Sequence, residues 1–342
     1  MPAALMPPRA KYMTMPPTPV ACSHTGWGLL RASGDDAIAF LHGQLSSDVE
    51  SLGPGDGQYW SYNSPKGRML ANGVLWRSPA DEADAAITLL LADDLAETIR
   101  RRLSMFVLRA RVKIEDDSAR SALIGLADGP GDDVSRAAFG IAPRPSCAVA
   151  FGDGATAFAL PDGRSVIVAP AENAPMLRAA IARHASVVES GVWRWYGIAA
   201  GVPWITAATS DRFVPQAANW DLLGGVSFRK GCYPGQEIVA RMQYLGRLKE
   251  RLFAFHTAET GDVAPAARLY SATFDSTQAC GTVVNAARAP SGGIALLAVV
   301  QTTAVEADDL TLDTPGGARL TRRPLPYAVP AVEAREARPR IG

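Results

Sequence analysis

The 342-residue chain has few cysteines, few histidines, no excess of either charge and no long apolar run. Its four cysteines, Cys22, Cys147, Cys232 and Cys280, lie far apart with no C-x-x-C among them. That excludes a disulfide scaffold and the paired ligand spacing of a zinc site, so no metal site is expected. Four scattered thiols fit a reducing, cytoplasmic setting. Lys and Arg number 34, as do Asp and Glu, a balance that argues against direct nucleic-acid binding. The longest apolar runs, 85–92 (broken by Thr88) and 294–300, fall well short of the ~18–20 residues of a membrane span, so no membrane association is expected. The four histidines, His24, His42, His184 and His256, have no ligand spacing and read as incidental. No Walker loop or G-x-S-x-G occurs.

What is present is core material. At 48% hydrophobic residues the chain can bury real cores, and at ~150 residues per domain its length implies two or three domains. Residues 1–20, with six prolines between Met1 and Pro19, read as a disordered leader in which Met13 or Met15 could be the start. Strands are expected at 26–30, 59–63, 69–76, 87–91, 111–115, 122–126 and 165–168. Helices are expected where Ile38, Leu41 and Leu45, then Leu95, Ile99 and Leu103, keep helical spacing, and at 132–138 and 174–184. Two strand–helix–strand passages suggest a ferredoxin-like α+β subdomain at about 85–185. From 251 to 321 short strands (252–255, 268–270, 281–285, 294–300, 310–312) separated by Gly/Pro/Asp turns indicate a small antiparallel β-barrel. Residues 322–342 read as a flexible tail.

The segment richest in chemistry is Phe228-Arg229-Lys230-Gly231-Cys232-Tyr233-Pro234-Gly235-Gln236-Glu237-Ile238. Pro234 suits a first helical position, Ile238, Met242 and Leu245 keep the helical spacing, and Gly246 can end the helix. Cys232 then sits just ahead of a helix N-terminus, beside the positive Lys230, where a thiolate is favoured. A buried, inert thiol at a packed turn is the equal alternative. Gln236 and Glu237 complement the helix dipole, and Arg241 is placed to pair with Glu237. Trp193-Arg194-Trp195-Tyr196 and Trp27 serve either as core or as a stacking surface for a planar heterocycle.

Lys230-Gly231-Cys232-Tyr233-x-Gly235-Gln236-Glu237 resembles the signature of the YgfZ family, folate-binding proteins of iron–sulfur metabolism. Phe40-Leu41-His42-Gly43-Gln44-Leu45 with Asp48-Val49, Asn63-Ser64-Pro65-Lys66-Gly67-Arg68-Met69-Leu70, Phe213-Val214-Pro215-Gln216 and 222–228 resemble further family segments, in order over roughly residues 21–255. The resemblance implies a T-protein-like folate-binding fold over 21–250, similar to the aminomethyltransferase of the glycine cleavage system, with the β-barrel following. It implies tetrahydrofolate or a derivative as cofactor, held by Trp27, Trp193, Asn63 and Arg68, with Trp195 close enough to compete with Trp193. It also implies iron–sulfur assembly or client proteins as partners, and an indirect role in tRNA modification.

Departures from the T-protein pattern bear on activity. Cys232 replaces the aspartate of its Lys-Gly-Asp-Phe, Ala71-Asn72 stands where it carries Asp-Asp, and Ala199 replaces its pterin-binding glutamate. Aminomethyl transfer needs a carboxylate to steer protons at the folate nitrogens. The expectation is therefore a folate-binding accessory protein rather than a classical enzyme, with Cys232 and Lys230 as its working groups, including transient contact with an iron–sulfur cluster. One thiol cannot hold a cluster that takes four ligands. A tetrahydrofolate-dependent aminomethyltransferase or other one-carbon transferase is the alternative, and direct RNA modification a third reading.

Overall fold

Short apolar stretches punctuated by Gly, Pro and Asp fold into three sheets with helices on their flanks. The computed structural model describes residues 19–79, 86–127, 133–141, 143–152, 154–244, 246, 248–274 and 277–330. The leader, Asp132, Leu245 and the last part of the expected tail lie outside the described residues.

After β1 (Val20–Cys22) the chain builds a five-stranded antiparallel sheet from β2 (Trp27–Ser33), β3 (Gly57–Asn63), β4 (Met69–Arg77), β5 (Ala86–Ala92) and β6 (Lys113–Asp116), in the order β3-β4-β5-β2-β6. The second sheet uses β7 (Ser121–Ala127), β8 (Cys147–Phe151), β9 (Ala155–Ala159), β10 (Ser165–Pro170) and β11 (Ser186–Val187), ordered β11-β1-β7-β10-β9-β8. The ferredoxin-like unit expected from residue 85 does not start there. Strand β5 is buried on both faces except at Thr88, so its stable place is between β4 and β2 in the first sheet. The change of sheet falls between β6 and β7. Sequence periodicity also missed β8 and β9, whose alanines carry little contrast between faces.

Helices α1 (Ala37–Gln44) and α2 (Ala96–Ser104) flank the first sheet, α3 (Asp133–Phe139) and α4 (Ala174–Ile181) the second. Helix α2 buries Ala96, Ile99 and Leu103, one stripe of its surface; each large apolar side chain contributes about 1.5–3 kcal/mol by leaving water. Helix α5 (Ser190–Ala199) packs on the barrel strands, and α6 (Gln236–Tyr244) follows the cysteine segment.

The last sheet holds β12 (Glu250–Thr257), β13 (Arg268–Ser271), β14 (Gly281–Arg288), β15 (Ile294–Gln301), β16 (Leu310–Leu312) and β17 (Thr321–Arg323), ordered β16-β13-β14-β15-β12-β17, with α7 (Thr302–Val305) between β15 and β16. Arg319 bridges Thr311, and the Leu320 amide donates to Leu310. Because β17 pairs with β12, this segment joins the two sheet edges and curls the sheet toward a barrel. The tail expected from 322 therefore begins inside that sheet. Beyond it Leu325 packs on the main core and the Tyr327 hydroxyl donates to the Gly201 carbonyl at 2.7 Å, contacts a proline-punctuated sequence does not advertise. No helix among the described residues is long and apolar enough to cross a membrane.

Candidate functional site

Cys232 is exposed, Cys22 and Cys280 are buried, and Cys147 is half-buried; all four are free. Burial pushes the Cys22 and Cys280 thiols up, so Cys232 is the accessible one. Its loop is tied down on both sides. On one side Lys230 reaches the C-terminal end of α1, donating from Nζ to the carbonyls of His42 and Leu45, the latter at 2.6 Å; a cation is favoured at that end of a helix. Its ammonium also lies 5.0 Å from the Tyr233 ring centroid. Burial brings Lys230 down to about 8, opposed by the charges of Asp48, Glu50 and Cys232, and burial lifts Tyr233 to about 12.

On the other side the loop rests on the Ser64-Pro65-Lys66-Gly67 turn. Gly235 takes φ +77°, and a Cβ there would lie 2.3 Å from the Ser64 carbonyl oxygen and 2.7 Å from the Gly67 Cα. Only glycine fits. This geometry corrects the expected helix start: Pro234 and Gly235 stay in the loop and α6 begins at Gln236. Cys232 therefore lies four residues ahead of the first helical residue, beyond the turn over which a helix dipole acts. The Gln236 side-chain amide donates to the Gly231 carbonyl at 3.3 Å. Glu237 and Arg241 are exposed and form no ion pair with each other, contrary to expectation. His42, expected to be incidental, borders Gly231 and lies 3.3 Å from the Asp48 carboxylate through Nδ1.

A second cluster lies where the first two sheets and α5 meet. Trp27 and Trp193 make an edge contact, centroids 5.4 Å apart at 70°. Trp195, two residues on and so on another face of the helix, packs on Tyr196 instead. Trp193 seats over Gly125 of β7, where a Cβ would come within 2.7 Å of the indole. Trp204 stacks on Trp27 at 4.3 Å. Arg164 places its guanidinium 4.6 Å from the Trp193 centroid and 5.7 Å from that of Trp27, held by Asp162 at 2.6 Å with both side chains at most 4% exposed. Trp204, Arg164 and Asp162 were not anticipated; they come from loops and turns with no periodic signal.

Strand β3 connects the two places. Its alternate residues Tyr59, Ser61 and Asn63 face one side. Tyr59 packs on Trp220 at 4.9 Å and feels the charges of Asp162 and Arg164, burial being the main cause that lifts its hydroxyl well above the ordinary range. Ser61 bonds Ser46, which donates to the Gly225 carbonyl, and bonds Asn63 at 3.1 Å. Tyr59 and Asn63 are four residues apart, ~13 Å along an extended strand. Asn63 is thus buried on the cysteine-loop side, its amide nitrogen without a partner among the described residues. Arg68 is exposed, its Nη1 3.4 Å from the Asp211 carbonyl. Asn72 is used structurally: its amide donates to Pro203 and its carbonyl accepts from the Ile205 amide, at 2.8 and 2.7 Å. Among the described residues no group of three or more His, Cys, Asp or Glu could hold a metal ion.

This three-sheet body has the aminomethyltransferase-T class of fold. The crystal structure of glycine cleavage system aminomethyltransferase T from Bartonella henselae aligns with 91% of this chain and 86% of its own, at a TM-score of 0.72 and 15% identity. No protein-family model matches the chain. Among curated proteins it is 31% identical to tRNA-modifying protein YgfZ of Enterobacter sp. (strain 638), covering 89% of this chain and 91% of that one. It is 30% identical to its namesake in Edwardsiella ictaluri (strain 93-146), over 92% and 96%. The chain belongs to the YgfZ family.

Proposed function

We propose that the protein is a folate-binding accessory factor for assembly or repair of iron–sulfur enzymes, supporting tRNA modification indirectly, with Cys232 as its working group. The observation that carries this reading is the loop itself: an exposed thiol on a backbone fixed by Lys230 and Gly235 against two other family segments. Such fixing of an exposed group suits presentation to a partner. Relatives named as tRNA-modifying proteins support the destination of the activity. Tetrahydrofolate or a derivative is assigned to the tryptophan cluster, and iron–sulfur client or assembly proteins to the cysteine face. A cluster touching Cys232 takes its remaining ligands from the partner.

Aminomethyl transfer is disfavoured by Asn72, whose side chain is spent on the backbone of Pro203 and Ile205 and cannot ionise. The test is complementation of a strain lacking its own family member, scored by iron–sulfur enzyme activity and tRNA thiolation. Cys232→Ala should abolish complementation while leaving reduced-folate binding, read by tryptophan fluorescence, unchanged. Full complementation by that variant would remove Cys232 from the reading; turnover of a methylamine-type donor with tetrahydrofolate would replace it with the transferase.

A further inference from the structure

A planar ligand cannot enter between Trp27 and Trp193 as they stand. Two rings that sandwich a third need their planes ~7 Å apart, twice the ~3.5 Å of carbon contact, and these are edge-on with centroids at 5.4 Å. The flat group that does lie on the Trp193 face is the Arg164 guanidinium. Its Nε and Nη2 point at the two oxygens of Asp162, at 3.1 and 2.6 Å to Oδ2 and 3.2 Å to Oδ1, and its Nη1 lies 3.4 Å from the Trp193 carbonyl. The place therefore holds a planar, delocalised group with two adjacent N–H donors, stacked on indole and read by a buried carboxylate. Two buried polar atoms in the same cluster, the Trp193 Nε1 and the Tyr59 hydroxyl, have no partner among the described residues and are open to a further ligand group.

The amino-pyrimidinone edge of a pterin has that same description: a ring N–H and an amino N–H side by side on a flat, stackable ring. We propose that Arg164 is an internal stand-in for this edge, and that Asp162 is the residue that accepts it when ligand enters and the guanidinium leaves. The inference rests on the folate reading above and supplies what that reading lacked, a carboxylate for the pterin in place of the one lost at Ala199. Charge is kept in balance by the exchange: the neutral pterin edge takes the carboxylate, and the displaced guanidinium is free to pair with the glutamyl carboxylates that folates carry. Asp162 is then a specificity residue and Arg164 a plug.

The experiment is a titration with 5-formyltetrahydrofolate, followed by tryptophan fluorescence, on wild type, Arg164→Met, Asp162→Asn and the double variant. The double variant replaces a buried ion pair by a neutral pair of similar shape, a change that proteins tolerate, and its urea midpoint checks folding. Arg164→Met should bind at least as tightly as wild type, and adding Asp162→Asn to it should weaken binding tenfold or more. The same addition should weaken binding of a 2-desamino analogue less, because that analogue offers Asp162 only the ring N–H. Equal affinity of Arg164→Met and the double variant for 5-formyltetrahydrofolate would overturn the assignment of Asp162 while leaving folate binding intact. Absence of binding to both wild type and Arg164→Met would instead remove the folate reading, and this inference with it.

Discussion

The cysteine loop and the tryptophan cluster are built in opposite ways. The loop is exposed, made mostly of residues adjacent in sequence, and held by turns and a helix end. The cluster is buried and draws Trp27, Asp162, Arg164, Trp193 and Trp204 from separate elements. The first can present a group to a partner without rearranging; the second cannot admit a ligand unless something leaves. Breaking the buried charge pair of the cluster should therefore act first on stability, whereas removing the exposed thiol of the loop should act on function alone.

The largest stability effect should come from splitting the buried ion pair. Arg164→Met leaves the Asp162 carboxylate without its partner in a buried setting, which costs about 3–5 kcal/mol. The double variant with Asp162→Asn should recover most of that loss. Urea midpoints of the two settle the matter: equal destabilisation would mean that packing of the guanidinium, not its charge, holds the cluster. Next comes Gly235→Ala, the point where the loop depends on close approach. A positive φ and a Cβ at 2.3 Å from the Ser64 carbonyl should cost about 3 kcal/mol and lower complementation with it. Cys232→Ala, by contrast, should change stability by less than about 0.5 kcal/mol, as an exposed substitution does, although it removes function. A thermal shift of several degrees in that variant would break the comparison.

This division also explains what could be read from sequence. Cys232, Lys230 and Gly235 form one contiguous motif with turn chemistry that local rules describe, so their loop was legible apart from the helix start. That start was misplaced because Pro234 signals a first helical turn, whereas the contact of Gly235 with Ser64 is long-range. In the cluster, Trp27 and Trp193 were visible as residue types only. Arg164 and Asp162 sit in a turn, Pro161-Asp162-Gly163-Arg164, that reads locally as nothing more than a turn. The strands with clear patterns, β3, β4, β12 and β15, were found, while Ala-rich β8 and β9 were not. The start of the ferredoxin-like unit was misplaced for a similar reason: a strand buried on both faces announces that it is central but not which sheet it is central to.

The smallest effect separates the two regions by pH. Burial holds Lys230 at about 8 instead of its ordinary 10.5. In the unfolded chain the amine keeps its proton up to its ordinary value, so between pH 8 and 10.5 the unfolded state binds more protons than the folded one. Stability contributed through this group then rises with pH across that window and is flat below it. Other amines and phenols titrate there as well, so the quantity to measure is the difference in unfolding free energy between wild type and Lys230→Met as pH is raised. That difference should shift in favour of wild type from pH 8 upward. In the opposite direction act the two α1 carbonyls, of His42 and Leu45, which exchange a charged donor for a neutral one when the ammonium deprotonates. Burial is the larger influence, so the slope keeps its sign but is shallow. A slope of the reverse sign would mean that the helix-end contacts outweigh burial, and that the loop is held by the charge of Lys230 rather than in spite of it.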